Sequence, residues 1–86
     1  MQILAPISPA AITLARRACR TGAGRQLRTR AGLTLREAAL DVGVNPGTLS
    51  RWERSLEMPK GYRAARYAAH LERLIAADGT ATLLLQ

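Results

Sequence analysis

Thr34 to Arg54 reads TLREAALDVGVNPGTLSRWER, and this stretch decides the fold. Thr34 stands three residues before Glu37, so its hydroxyl can accept from the Glu37 amide while the glutamate reaches back to the Thr34 amide, which marks a helix start. Leu35, Ala38, Ala39 and Val42 follow at i, i+3, i+4 and i+7, a buried face, and Gly43 ends the helix after about two turns. Only Val44 and Asn45 separate that glycine from Pro46, so a second helix must turn sharply against the first. Asn45 is a good N-cap and Pro46 suits the first helical position; the alternative is an Asn-Pro-Gly loop with no helix until Thr48.

From Gly47 onward the residues divide by face. Leu49, Trp52, Glu53 and Leu56 fall on one side, and Gly47, Ser50, Arg51 and Arg54 on the other, each set at helical spacing. One face packs and the other carries hydrogen-bond donors. This predicts a second helix from Asn45 to Leu56, stopped by Met58-Pro59. Glu53, a carboxylate among apolar neighbours, needs a partner.

Working outward, a short helix from about Gly24 to Ala31 has Leu27 as its main inward residue and Gly32 as its left-handed cap. Ser8-Pro9 starts an N-terminal helix that runs to about Arg20 and places Ala11, Ile12, Ala15 and Cys19 together, with Gly22 and Gly24 breaking it. The opening MQILAPI reads as an extended tail or a short strand. After Pro59, Gly61 to Ala77 forms the longest helix, with an inner stripe of Ala64, Tyr67, Ala68, Leu71 and Ile75, Leu74 beside it, and Asp78-Gly79 at its end. His70 shares the outer side with Arg63, Arg66 and Arg73 and reads as a solvated surface histidine. The closing TATLLLQ is apolar and unpaired, disordered or a short strand, and two apolar ends on a small domain hint at contact with a second copy. The chain thus divides into a tail and accessory helix (1–23), a helical domain (24–79) and a C-terminal tail (80–86).

Composition agrees with helices. A chain of 86 residues is one small domain. It is 48% apolar but only 3% aromatic with no Phe, so its core must be closely packed Ala, Leu, Ile and Val. Thirteen basic residues, all Arg but Lys60, against six acids give a net charge of +7, which seeks a polyanion unless it is only the arginine-rich surface of a protein from a GC-rich genome. Cys19 has no second cysteine to pair with and reads as a small buried residue more than a reactive thiol, and the compartment is read as reducing. No metal-ligand cluster and no nucleophile with a base stands out, so neither a cofactor nor enzyme function is expected, and no small-molecule substrate. No run approaches the ~20 apolar residues of a membrane span, and Met1 to Ala15 lacks the basic start of a secretory signal. The first 36 residues carry seven arginines and no acid, as a transit peptide does, but that stretch runs straight into the domain pattern, so a cytoplasmic location in a bacterial or phage-infected cell, at the nucleoid, is the expectation.

These residues resemble the Cro and phage-repressor (XRE-like) type of helix-turn-helix family over about Gly24 to Ala77. The resemblance rests on Leu27-Arg28, Gly32-Leu33-Thr34, Glu37, Ala38-Ala39, Gly43-Val44, Leu49-Ser50, Trp52-Glu53-Arg54 and Pro59, each at the family's spacing. Nothing before Gly24 contributes. It implies a compact all-α, five-helix lambda-repressor-like domain, here with an extra N-terminal helix, in which Thr34 to Val42 crosses the DNA backbone and Asn45 to Leu56 enters the major groove. It also implies that Glu53 pairs with Arg28, making both structural.

Two departures from the family redistribute the DNA contacts. Where Leu35 stands the family usually carries a glutamine that anchors a phosphate, so the helix amides near Thr34 and Arg36 must serve instead. Pro46 and Gly47 replace polar side chains that usually reach bases, although Gly47 permits a close backbone approach. Base reading is therefore expected mainly from Arg51, with Asn45, Gly47, Thr48 and Ser50 in support, since arginine can grip guanine O6 and N7 with two donors. Phosphates are expected at Thr34, Arg36, Arg54, Lys60 and Arg63, unless Arg54 is taken by Glu57 on the surface. The implied function is a sequence-specific transcriptional regulator, a small bacterial or phage repressor that binds double-stranded DNA as a homodimer on an inverted repeat. An antitoxin-type interaction module and a nonspecific nucleic-acid binder are the alternatives.

Overall fold

A computed structural model describes residues 7–78; the readings made for residues 1–6 and for 79–86, including the Gly79 cap and TATLLLQ, lie outside the described residues. The chain is all-α, with α1 (Pro9–Thr21), α2 (Ala23–Arg30), α3 (Leu35–Val42), α4 (Pro46–Glu53) and α5 (Gly61–Ala77). Each start has a local cause. Ser8 Oγ accepts from the Ala11 amide at 3.1 Å ahead of Pro9. At α3, the Thr34 hydroxyl accepts from the Glu37 amide (3.0 Å) and the Glu37 carboxylate from the Thr34 amide (2.8 Å), the reciprocal box read from the sequence. Asn45 Oδ1 accepts from the Thr48 amide at 2.8 Å, so α4 begins at Pro46 and the loop alternative is excluded.

Helix ends follow the glycines, with one correction. The amides of Gly32 and Leu33 turn back onto Thr29 and Arg28, closing α2 through a left-handed residue. Gly43 does the same for α3. Gly24, expected to break the N-terminal helix together with Gly22, instead lies buried inside α2, where a Cβ would collide with the Tyr67 hydroxyl. Only Gly22, with φ +82°, makes that turn.

The second helix stops three residues earlier than its periodicity predicts. α4 ends at Glu53, and Ser55 adopts φ +59°, with its amide on the Trp52 carbonyl and that of Leu56 on Arg51. A serine in this conformation is costly without support. Support comes from α1: Ser55 Oγ donates to the Cys19 carbonyl at 2.7 Å. Leu56, expected on the packing face, is therefore 65% exposed.

The core gathers around α5, which packs against α1, α2 and α3, while α1 also packs against α2 and α4. Alanines at 15, 18, 23, 38, 39, 64 and 68 let the helices approach closely around Leu27, Leu49, Leu71, Trp52 and Tyr67. The Trp52 and Tyr67 rings meet at the centre, 5.3 Å apart and tilted by 40°. Cys19 is buried here, and burial pushes its thiol up to about 12, which leaves it protonated and unreactive.

Two sequence expectations change at this level. α1 contributes Ala15, Ala18 and Cys19 to the core, so it is one of the five helices of the bundle and not an accessory to it. His70 is not solvated: it is 2% exposed, stacked beside Tyr67 (6.2 Å, 15°), with Nδ1 2.6 Å from Asp41 Oδ2. Arg73 Nη2 donates to the same oxygen at 2.7 Å. Periodicity alone places the polar side of α5 in water, but part of it faces α3, where Asp41 supplies the partner that a buried histidine needs.

Candidate nucleic-acid interface

α3 and α4 form the two-helix unit, joined through Gly43, Val44 and Asn45. What fixes α4 from beneath is the pair read from the resemblance. Arg28 Nε and Nη2 donate to Glu53 Oε2 and Oε1 at 2.7 and 3.0 Å, and Nη1 donates to the Leu33 carbonyl at 2.9 Å. The side chains are 12% and 4% exposed. This two-bond fork ties α2, the turn before α3 and the last residue of α4 together, and the hydrogen bond to Glu53 raises the Arg28 pKa further above its already high value. Both groups are spent on the scaffold.

On the outer side of α4, Asn45, Gly47, Arg51 and Arg54 are exposed and Ser50 is half-buried. Thr48 is only 5% exposed and its Oγ1 accepts from Arg51, so it does not stand open with the others. Asn45 spends Oδ1 on its cap and keeps its amide hydrogens to donate.

Arg51 is the side chain whose surroundings the sequence did not reveal. Its Nε donates to Glu57 Oε1 at 3.0 Å and its Nη2 to Thr48 Oγ1 at 3.2 Å. The guanidinium folds back over Gly47, where an added Cβ would stand 3.6 Å from Nη1. The hydrogen bond from Arg51 holds the Glu57 carboxyl below its usual range, so Glu57 stays ionised. Glu57, expected as a possible partner of Arg54, thus belongs to Arg51, while Arg54 Nε turns to the Ser50 carbonyl at 3.4 Å. Periodicity could not find this pairing: on a continued helix, residues 51 and 57 would lie about 120° apart and nearly two turns away, and they meet because the chain reverses at Ser55.

Glu57 also lines a cleft of about 200 Å³ with Trp52, Met58, Pro59, Lys60 and Arg63, which brings the start of α5 beside the end of α4. Glu57, bonded to Arg51, thus shares its cleft with Lys60 and Arg63. The loop that carries Glu57 and Lys60 is pinned to α1 at both ends, by Ser55 Oγ to the Cys19 carbonyl and by Arg16 Nε to the Pro59 carbonyl at 3.3 Å. Neither anchor has a local sequence signal.

Thr34 and Arg36 stand at the start of α3, the end away from the turn, and both are exposed. The capping box occupies the Thr34 hydroxyl and amide, so the open donors there are the first-turn amides of Leu35 and Arg36, which a helix cannot satisfy internally.

Among the described residues no helix is long and apolar enough to cross a membrane, and no group of three or more His, Cys, Asp or Glu lies together. No match was found among curated proteins or among solved structures. The Helix-turn-helix family matches residues 25–74, from the first turn of α2 into the last turns of α5 and more than half of the chain. With its capped α3 and α4 crossing at a glycine turn and the arginine face of α4 open, the chain belongs to the helix-turn-helix family of Cro and phage-repressor (XRE-like) type, whose members are DNA-binding regulators.

Proposed function

We propose that this protein is a sequence-specific transcriptional repressor of bacterial or phage type, working in the cytoplasm as a homodimer on an inverted repeat and occupying its operator through the major groove. The observation that carries this reading is Arg51, presented on the open face of the second helix of the unit and held there by Thr48 and Glu57. A guanidinium fixed in this way is suited to the two-donor grip on guanine, whereas a nonspecific binder needs only mobile charge. Ser50 and the Asn45 amide stand beside it as lesser base contacts, Thr48 acts through Arg51, and Gly47 leaves room for the guanidinium that the family's usual side chains would occupy.

Phosphate contacts fall to the Leu35 and Arg36 amides behind Thr34, and to Arg36, Arg54, Lys60 and Arg63, which flank α4 on both sides. Two copies would place their second helices about 34 Å apart, one turn of DNA. Competition with unrelated DNA, on a site selected from a random pool, is the test. An affinity ratio of order 10³ or more supports a specific regulator, and a ratio near one removes it. Within that assay, Arg51→Ala should relax preference at particular base positions by about 1–3 kcal/mol, and Lys60→Ala should weaken all sequences alike and flatten the salt dependence by about one unit. Equal losses for Arg51→Ala on selected and random DNA would refute its reading role.

A further inference from the structure

We infer that Glu57 is a specificity-determining positioning residue: it holds Arg51 for base reading and keeps it from the phosphate backbone. This rests on the DNA-reading role proposed for Arg51. A guanidinium has five N–H donors; Glu57 takes that of Nε and Thr48 one on Nη2, leaving three, one on Nη2 and two on Nη1. Donors therefore remain on both terminal nitrogens, enough to grip guanine at O6 and N7. The two acceptors remove much of the rotamer freedom that an exposed arginine would otherwise lose on binding.

Glu57 does not hold Arg51 for the sake of the fold. The two side chains are 46% and 43% exposed, and an ion pair so open contributes little to stability. Its placement is nonetheless specific, because the loop carrying it is fastened to α1 on either side, at Ser55 and at Pro59. The carboxylate also stands in the cleft shared with Lys60 and Arg63, an acid beside cations proposed to meet the phosphates. A phosphate drawn to the open donors of Arg51 would approach the Glu57 carboxylate, whose charge repels it. A base edge carries no net charge to repel. Glu57 thus penalises random DNA more than the cognate site, a device that gains discrimination by weakening the wrong complex.

The test uses the full chain with Glu57→Gln, which keeps the shape and removes the charge, alone and combined with Arg51→Ala. Affinities are measured on the selected site and on random-sequence DNA across a salt series. Glu57→Gln should melt with the wild type, bind random DNA more tightly with a salt slope steeper by about one, and lose about tenfold in the ratio of selected to random affinity. In the Arg51→Ala background, Glu57→Gln should leave that ratio unchanged, because the residue that it positions is gone. An unchanged ratio for Glu57→Gln where Arg51→Ala lowers it would overturn the inference and spare the base-reading role. So would an equal drop in both backgrounds, which would assign the effect to bulk charge. A wild-type ratio near one, visible without any variant, would instead remove the proposed function and this inference with it.

Discussion

Arg28 shows how one residue can decide the geometry of a site that it never touches. Its guanidinium has three partners, two oxygens of Glu53 and the Leu33 carbonyl, all in surroundings with little access to water. Glu53 is the last residue of α4, so the fork sets where that helix ends and how it lies on α2. Removing one member strands the other charge, at a cost of roughly 3–5 kcal/mol. Arg28→Ala should therefore show a large drop in thermal midpoint by circular dichroism, with DNA affinity lost only as the fold is lost. A variant that melts as the wild type does and yet fails to bind would move Arg28 from scaffold to interface. Arg51 is the converse case, an exposed residue proposed to act through what it is free to donate.

Between elements, two contacts decide how α5 seats against its neighbours. Gly24 brings α2 onto Tyr67 so closely that any Cβ would strike the phenol, and the Tyr67 ring already packs against Trp52 and His70. Gly24→Ala should cost about 1–3 kcal/mol through overpacking, although alanine is the better helix former; a denaturation midpoint at or above the wild-type value would disprove the clash. On the other flank, Asp41 joins α3 to α5 through His70 and Arg73. Burial raises its carboxyl, but the hydrogen bonds from His70 and Arg73 outweigh burial and hold it below the ordinary value of 3.8. A depressed carboxyl stabilises the fold above its unfolded value and ceases to do so as pH falls through the folded one. Asp41→Asn should accordingly be less stable than the wild type near neutrality, with the difference closing below about pH 4. A stability gap that persisted undiminished in acid would show that the ionised carboxylate is not its source.

For the whole molecule, the family match begins at residue 25, yet the core does not. α1 supplies Ala15, Ala18 and Cys19 to the packing around α5 and both anchors of the α4–α5 loop. A fragment starting at Ala23 would expose the apolar faces of α2 and α5 that α1 covers and would release Ser55 from the hydrogen bond that supports its left-handed backbone. It should give no cooperative thermal transition, and a fragment that melted near the full chain would return α1 to the status of an appendage. This dependence connects the N-terminal helix to the interface: the loop that presents Glu57 and Lys60 is only as well placed as α1 makes it.

What could be read from the sequence is what rests on contacts a few residues apart. The Thr34–Glu37 box, the Asn45 cap, the left-handed glycines at 32 and 43 and the apolar stripe from Ala64 to Ile75 act within one or two turns, and their helices start where these residues place them. The family pattern added the one distant pair, Arg28 with Glu53. The rest depended on segments remote in the chain meeting in space. α4 stops at Glu53 because Ser55 finds a carbonyl 36 residues earlier, and that reversal brings Glu57 to Arg51. His70 is buried because Asp41, 29 residues away on α3, lies across from it. Periodicity reports which face of a helix is polar, but only the tertiary structure decides whether that face meets water or another charged group.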